Sequence, residues 1–118
     1  MKLRIEGDTI RYRLNRRDVE TFSSSGKAEA SVHFPGSILR YSLESDGKAP
    51  AITAEYEPGL IRVRVPARVA AAWAGGDEIS MEARHEQLHI LVEKDFQCLH
   101  KGDDARDPNA YPNPAAAG

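Results

Sequence analysis

The chain has 118 residues, 41% hydrophobic and 29% charged, a composition that fits one soluble globular domain with a modest core. Its net charge of −2 excludes a general attraction to nucleic acid or to an anionic membrane, so any such binding must come from a local patch. The single cysteine excludes an internal disulfide framework, and no apolar run approaches the roughly 18 residues of a membrane-spanning helix.

From Met1 to Gly7 charged and apolar residues alternate. This is not a secretory signal, and a cytoplasmic location with no membrane partner is expected. A turn at Gly7-Asp8 leads into Ile10-Arg11-Tyr12-Arg13-Leu14, whose period of two marks a strand with one buried face. Asn15 suits the N-cap of a short helix with Val19 and Phe22 on one face, and Gly26 ends it. Ala28 to Phe34 reads as a strand, Pro35-Gly36 as a turn, and Leu39, Tyr41 and Leu43 as the buried face of the next strand. Ser45 to Pro50 is a natural linker.

The pattern then starts again. A turn at Pro58-Gly59 precedes Ile61-Arg62-Val63-Arg64-Val65, which lies over Ile10 to Leu14 at an offset of 51. Pro66 suits the first helical position, Val69 and Trp73 share a face, and Gly75-Gly76 close the helix. Glu78 to Ala83 reads as a strand with a turn around His85-Glu86. Leu88, Ile90 and Val92 then repeat Leu39, Tyr41 and Leu43 at an offset of 49.

These elements predict a mainly β (α+β) fold with two short helices. It is expected to be built from two ββαββ units, residues 1–46 and 51–95, within one barrel domain over 1–96. The helices lie outside the barrel, and an irregular tail over 97–118 follows. Neither unit alone has enough apolar surface for comfortable stability. Face to face they would bury Ile10, Tyr12, Leu14, Ile61, Val63 and Val65 in one core.

The second unit carries Leu60 to Pro66, the helix Ala67 to Ala74, then Gly76-Asp77 leading to Glu78 to Glu82, and a closing strand Gln87 to Glu93. It resembles the swapped-hairpin half-barrel of the AbrB/SpoVT type, a family of bacterial transition-state regulators and antitoxins. The resemblance covers residues 54–94 and extends to 5–46 through the repeat. It implies a swapped-hairpin barrel with a pseudo-twofold axis, both halves in one chain. That arrangement favours a monomer, with exposed barrel edges leaving a dimer open. The resemblance also implies duplex DNA contacts from arginines near the start of each unit and its helix. The matching positions are Arg62, Arg64 and Arg68, with Arg11, Arg13, Arg16 and Arg17 in the first unit. The acidic second half and the C-terminal tail depart from that family's pattern. As a whole the chain resembles an uncharacterised family of small bacterial proteins. The shared features are a Met-Lys-Leu-Arg-Ile start and an ending like Leu91 to Phe96, Cys98-Leu99 and Pro112-Asn113-Pro114.

Three constellations invite a chemical reading. Arg11, Arg13, Arg62 and Arg64 alternate with buried residues, and a pseudo-twofold would bring them to one outer face, with Arg68 beside them. Guanidinium forks suit phosphate or carboxylate, although cross-strand carboxylates are their usual neighbours. Cys98 and His100, followed by Asp103 and Asp104, are of metal-ligand type, and His33, His85 or His89 would be needed to complete a set. Phe96 and Tyr111 are candidate anchors for the tail or for a partner that docks on it. No phosphate-loop, dinucleotide, zincin or serine-hydrolase motif is present, so no enzymatic activity and no cofactor are expected. The sequence therefore points to a binding or regulatory module with a DNA- or anion-binding face. The alternatives are a protein-interaction module using the tail and a small metal-binding protein.

Overall fold

The computed structural model describes residues 1–95, so Phe96, Cys98, His100, Tyr111 and the tail lie outside the described residues. The first unit contributes β1 (Lys2–Glu6), β2 (Thr9–Leu14), α1 (Arg16–Ser25), β3 (Lys27–Phe34) and β4 (Ser37–Asp46). The second contributes β5 (Thr53–Glu57), β6 (Leu60–Pro66), α2 (Ala67–Gly75), β7 (Ser80–His85) and β8 (Leu88–Lys94). The fold is mainly β, with two helices.

The strands form two four-stranded sheets, ordered β1-β2-β8-β7 and β3-β4-β6-β5. Each sheet thus joins the first hairpin of one unit to the last hairpin of the other. The hairpins are antiparallel, and the central pairs, β2 with β8 and β4 with β6, are parallel. The registers follow the sequence offsets. Ile10 faces Ile90 as Ile61 faces Tyr41, and Arg13 faces Glu93 as Arg64 faces Glu44. Swapped hairpins and equivalent places for 10–14 and 61–65 are therefore features of the fold.

The expected closed barrel is not formed. Closure would need edge strands to zip together, for example β5 with β7. Where those two meet, the Ala54 amide donates to a side chain, His85 Nδ1, at 3.2 Å instead of to a strand carbonyl. The two sheets stay open, and their inner faces pack on each other.

Ile10, Tyr12, Leu14, Leu43, Val63, Val65, Ile90 and Val92 fill the space between them, with Ile61 partly buried at its margin. This alternation of inward apolar and outward charged residues fixes the register, because a one-residue slip would turn every arginine inward. Burial raises the Tyr12 hydroxyl pKa well above its ordinary value, and the nearby Tyr41 adds to the shift. The two rings meet edge to face at 6.0 Å.

The helices pack on each other through Phe22 and Trp73, whose rings are 6.2 Å apart and inclined by 67°. Helix α1 starts in a reciprocal capping box. Asn15 Oδ1 accepts from the Asp18 amide, and Asp18 Oδ2 accepts from the Asn15 amide. Gly26, at φ 80°, takes the left-handed conformation that closes the helix. In α2 the sequence expectation is off by one residue. Pro66 (φ −53°, ψ 137°) is the extended residue before the helix, because it still pairs with Asp46 at the end of β6.

Candidate anion-binding face

The two sheets pack through their inner faces, so Arg11 and Arg13 on β2 and Arg62 and Arg64 on β6 lie on the outer faces of different sheets. The four do not form one cluster. Arg68 is exposed on α2, and Arg16 and Arg17 are exposed at the start of α1.

On the second sheet the arginines are neutralised. Arg62 Nε donates to Glu44 Oε2 at 2.9 Å, and Ser42 Oγ donates to the same oxygen at 2.9 Å. Arg62 Nη1 is 3.5 Å from Glu55 Oε2, and Arg64 Nη1 is 2.8 Å from Glu55 Oε1. The hydrogen bond to Glu44 holds the Arg62 pKa above its ordinary value, outweighing desolvation. Two guanidiniums share two carboxylates.

The first sheet has the same frame and a different balance. Arg11 and Arg13 share one carboxylate, with each Nε 3.4 Å from Glu93 Oε1. Only the Arg13 contact has hydrogen-bond geometry. Arg11 Nε is buried and, among the described residues, makes no hydrogen bond. A buried N–H donor left unpaired costs free energy comparable to a lost hydrogen bond.

Across the hairpin, Arg4 stands directly opposite Arg11 and Lys2 directly opposite Arg13. The corresponding pairs of the second sheet are Glu55 opposite Arg62 and Thr53 opposite Arg64. Like charges directly opposite destabilise a sheet, whereas opposite charges stabilise it by about 0.2–1 kcal/mol.

The sign of each outer face follows. The first presents Lys2, Arg4, Arg11, Arg13 and Arg84 against Glu6, Glu82, Glu93 and Asp95. The second presents Lys27, Arg40, Arg62 and Arg64 against Glu29, Glu44, Asp46, Glu55 and Glu57. Five cations face four carboxylates on one sheet, and four face five on the other.

Four of the five cations of the first face, all but Arg84, line an open cleft. Lys2, Leu3, Arg4, Arg11 and Arg13 border a hollow of about 370 Å³, and Arg4, Glu6, Thr9 and Arg11 border an adjoining one of about 160 Å³. Lys2 Nζ is 3.2 Å from Asp95 Oδ2, while Arg4 and Glu6 are 3.9 Å apart and both exposed. The Arg4–Glu6 contact holds its partners weakly and leaves Arg4 available to a ligand, while Lys2 is exposed although its partner Asp95 is nearly buried.

Sequence reasoning picked out Arg11 and Arg13 but missed Lys2 and Arg4. The signal was available. A two-residue turn at Gly7-Asp8 pairs residue 6 with 9, and therefore 4 with 11 and 2 with 13.

The histidines considered as metal ligands lie apart. His33 is exposed on β3, His85 accepts from Ala54, and His89 contacts Glu82. Among the described residues no group of three or more His, Cys, Asp or Glu could hold a metal ion. Among them, too, no helix is long and apolar enough to cross a membrane.

A family model described as a family of unknown function (DUF7009) matches residues 1–115. No curated protein and no solved structure matches the chain.

Proposed function

We propose that this chain, which belongs to the DUF7009 family, is a binding module that takes an anionic ligand on the outer face of its first sheet. Lys2, Arg4, Arg11 and Arg13 are the ligand-binding residues in this reading. The observation that carries it is the pair of like-charge contacts, Arg4 opposite Arg11 and Lys2 opposite Arg13. The second sheet uses the same backbone frame to put Glu55 opposite Arg62. A repulsive arrangement where the frame accommodates an attractive one is what a bound anion would offset.

The resemblance to AbrB/SpoVT regulators supports a regulatory role, with duplex DNA among the anions such a face would meet. Arg62 and Arg64, already held by Glu44 and Glu55, do not belong to the ligand face in this reading. Arg68 would contribute only long-range attraction.

Retention on immobilised heparin at low ionic strength tests the proposal. The wild-type chain should bind and elute as salt rises, because phosphate- and sulfate-directed contacts weaken with counterion concentration. Replacing Arg11 and Arg13 by alanine should abolish retention, and replacing Arg62 and Arg64 should not. Equal loss from both pairs of substitutions would contradict it.

A further inference from the structure

From the shape of the cationic cluster we infer that the ligand of the first sheet is a small molecule carrying a diphosphate group and not a nucleic-acid duplex. The inference rests on the anion-binding reading above and narrows it. Directly opposed residues of an antiparallel pair lie about 5 Å apart, and alternate residues along a strand about 7 Å apart. Lys2, Arg4, Arg11 and Arg13 therefore mark the corners of a patch of about 5 Å by 7 Å at the backbone. That is room for two adjacent anionic centres.

Carboxylates bound the patch on three sides. Glu6, opposite Thr9, stands at the end near the β1–β2 turn. Asp95, held 3.2 Å from Lys2 Nζ, stands at the other end. Glu93 flanks it on β8, next to Arg13. A duplex is a stiff rod whose phosphates beyond the patch would be held against these carboxylates, whereas a flexible polyanion such as heparin can bend away from them. A compact dianion or trianion stays inside the fence. The fourth side is the edge of β1, unpaired among the described residues, where a ligand enters and its uncharged remainder projects outward.

Donor number points the same way. Three guanidiniums and one ammonium carry roughly eighteen N–H donors, more than the dozen or so acceptor sites of the three carboxylates Glu6, Glu93 and Asp95 beside them. Two tetrahedral phosphates bring more oxygens, and guanidinium forks bind them in pairs. Arg11 Nε makes no hydrogen bond among the described residues, and its 3.4 Å approach to Glu93 Oε1 leaves the half-buried guanidinium incompletely paired.

The test is calorimetric titration of the full chain with inorganic pyrophosphate, orthophosphate and a short DNA duplex in one low-salt buffer. It is repeated with Arg4→Glu, whose fold is checked by circular dichroism. Arg4→Glu copies the Glu55 arrangement of the second sheet and should fold. The inference expects one pyrophosphate per chain, at least tenfold weaker binding of orthophosphate, and at least tenfold weaker pyrophosphate binding by Arg4→Glu. Duplex binding that Arg4→Glu abolishes, with no binding of pyrophosphate, would overturn the diphosphate inference while leaving the anion-binding reading standing. Failure of all three ligands to bind, or pyrophosphate binding indifferent to Arg4→Glu, would overturn both.

Discussion

Arg4 and Glu55 occupy equivalent positions in the two sheets, each on the edge strand of a hairpin and each directly opposite an arginine: Arg4 faces Arg11, and Glu55 faces Arg62. One exchange of sign separates a repulsive pair from an attractive one on an otherwise shared frame. The second sheet thereby acts as an internal control for the first.

Arg4→Glu should therefore stabilise the ligand-free protein, by about 0.2–1 kcal/mol, because it replaces a like-charge cross-strand pair by an opposite-charge one. Urea unfolding at low salt measures this, and the gain should shrink as salt is added. A loss of stability would show that Arg4 does structural work not visible in its contacts.

Phe22 and Trp73 join the two helices over the core, and both are almost completely buried. Phe22→Ala and Trp73→Ala should each cost about 3–5 kcal/mol. A double-mutant cycle should return a coupling of about 0.5–1.5 kcal/mol for the edge-to-face contact. Strict additivity would mean that the rings do not support one another.

Asn15 supplies one half of the α1 capping box. Asn15→Ala should lower stability by about 1 kcal/mol, while Asn15→Ser should retain most of it. Denaturant melts of the two variants decide the point.

Tyr12 predicts an alkaline limit. Burial, with Tyr41 nearby, raises its pKa above the unfolded value of 10.0. A group whose folded pKa is raised contributes stability that is fully present below the unfolded pKa and is lost as pH rises above it. Stability should thus be flat with respect to this group up to about pH 10 and fall beyond. Tyr12→Phe, which removes a hydroxyl donating to the Ile61 carbonyl at 3.4 Å, should flatten that fall. An equally steep fall in the variant would assign it to other groups.

Much of this architecture is legible in the residues. Ile10, Tyr12 and Leu14 announce an inward face by alternation, as do Val63 and Val65, and Gly26 and Asn15 bracket α1 as capping chemistry requires. What alternation does not carry is the partner of a strand. Nothing in Ile10 to Leu14 says that β2 lies beside β8, so the sharing of Glu93 by Arg11 and Arg13 was hidden. The same gap led to the expectation that four arginines would converge, whereas two sheets keep them apart. Barrel closure was overestimated for a related reason. It depends on whether edge strands meet along their backbones, and the meeting of β5 with β7 runs through one histidine ring. Lys2 and Arg4 were within reach, since hairpin pairing across Gly7-Asp8 is simple arithmetic.

The most direct test of the central claim is a nuclear magnetic resonance titration with pyrophosphate that follows the arginine Nε–H signals. The account predicts that Arg4, Arg11 and Arg13 shift and saturate together while Arg62 and Arg64 stay in place. Equal movement of all five, or of the second-sheet pair alone, would contradict it.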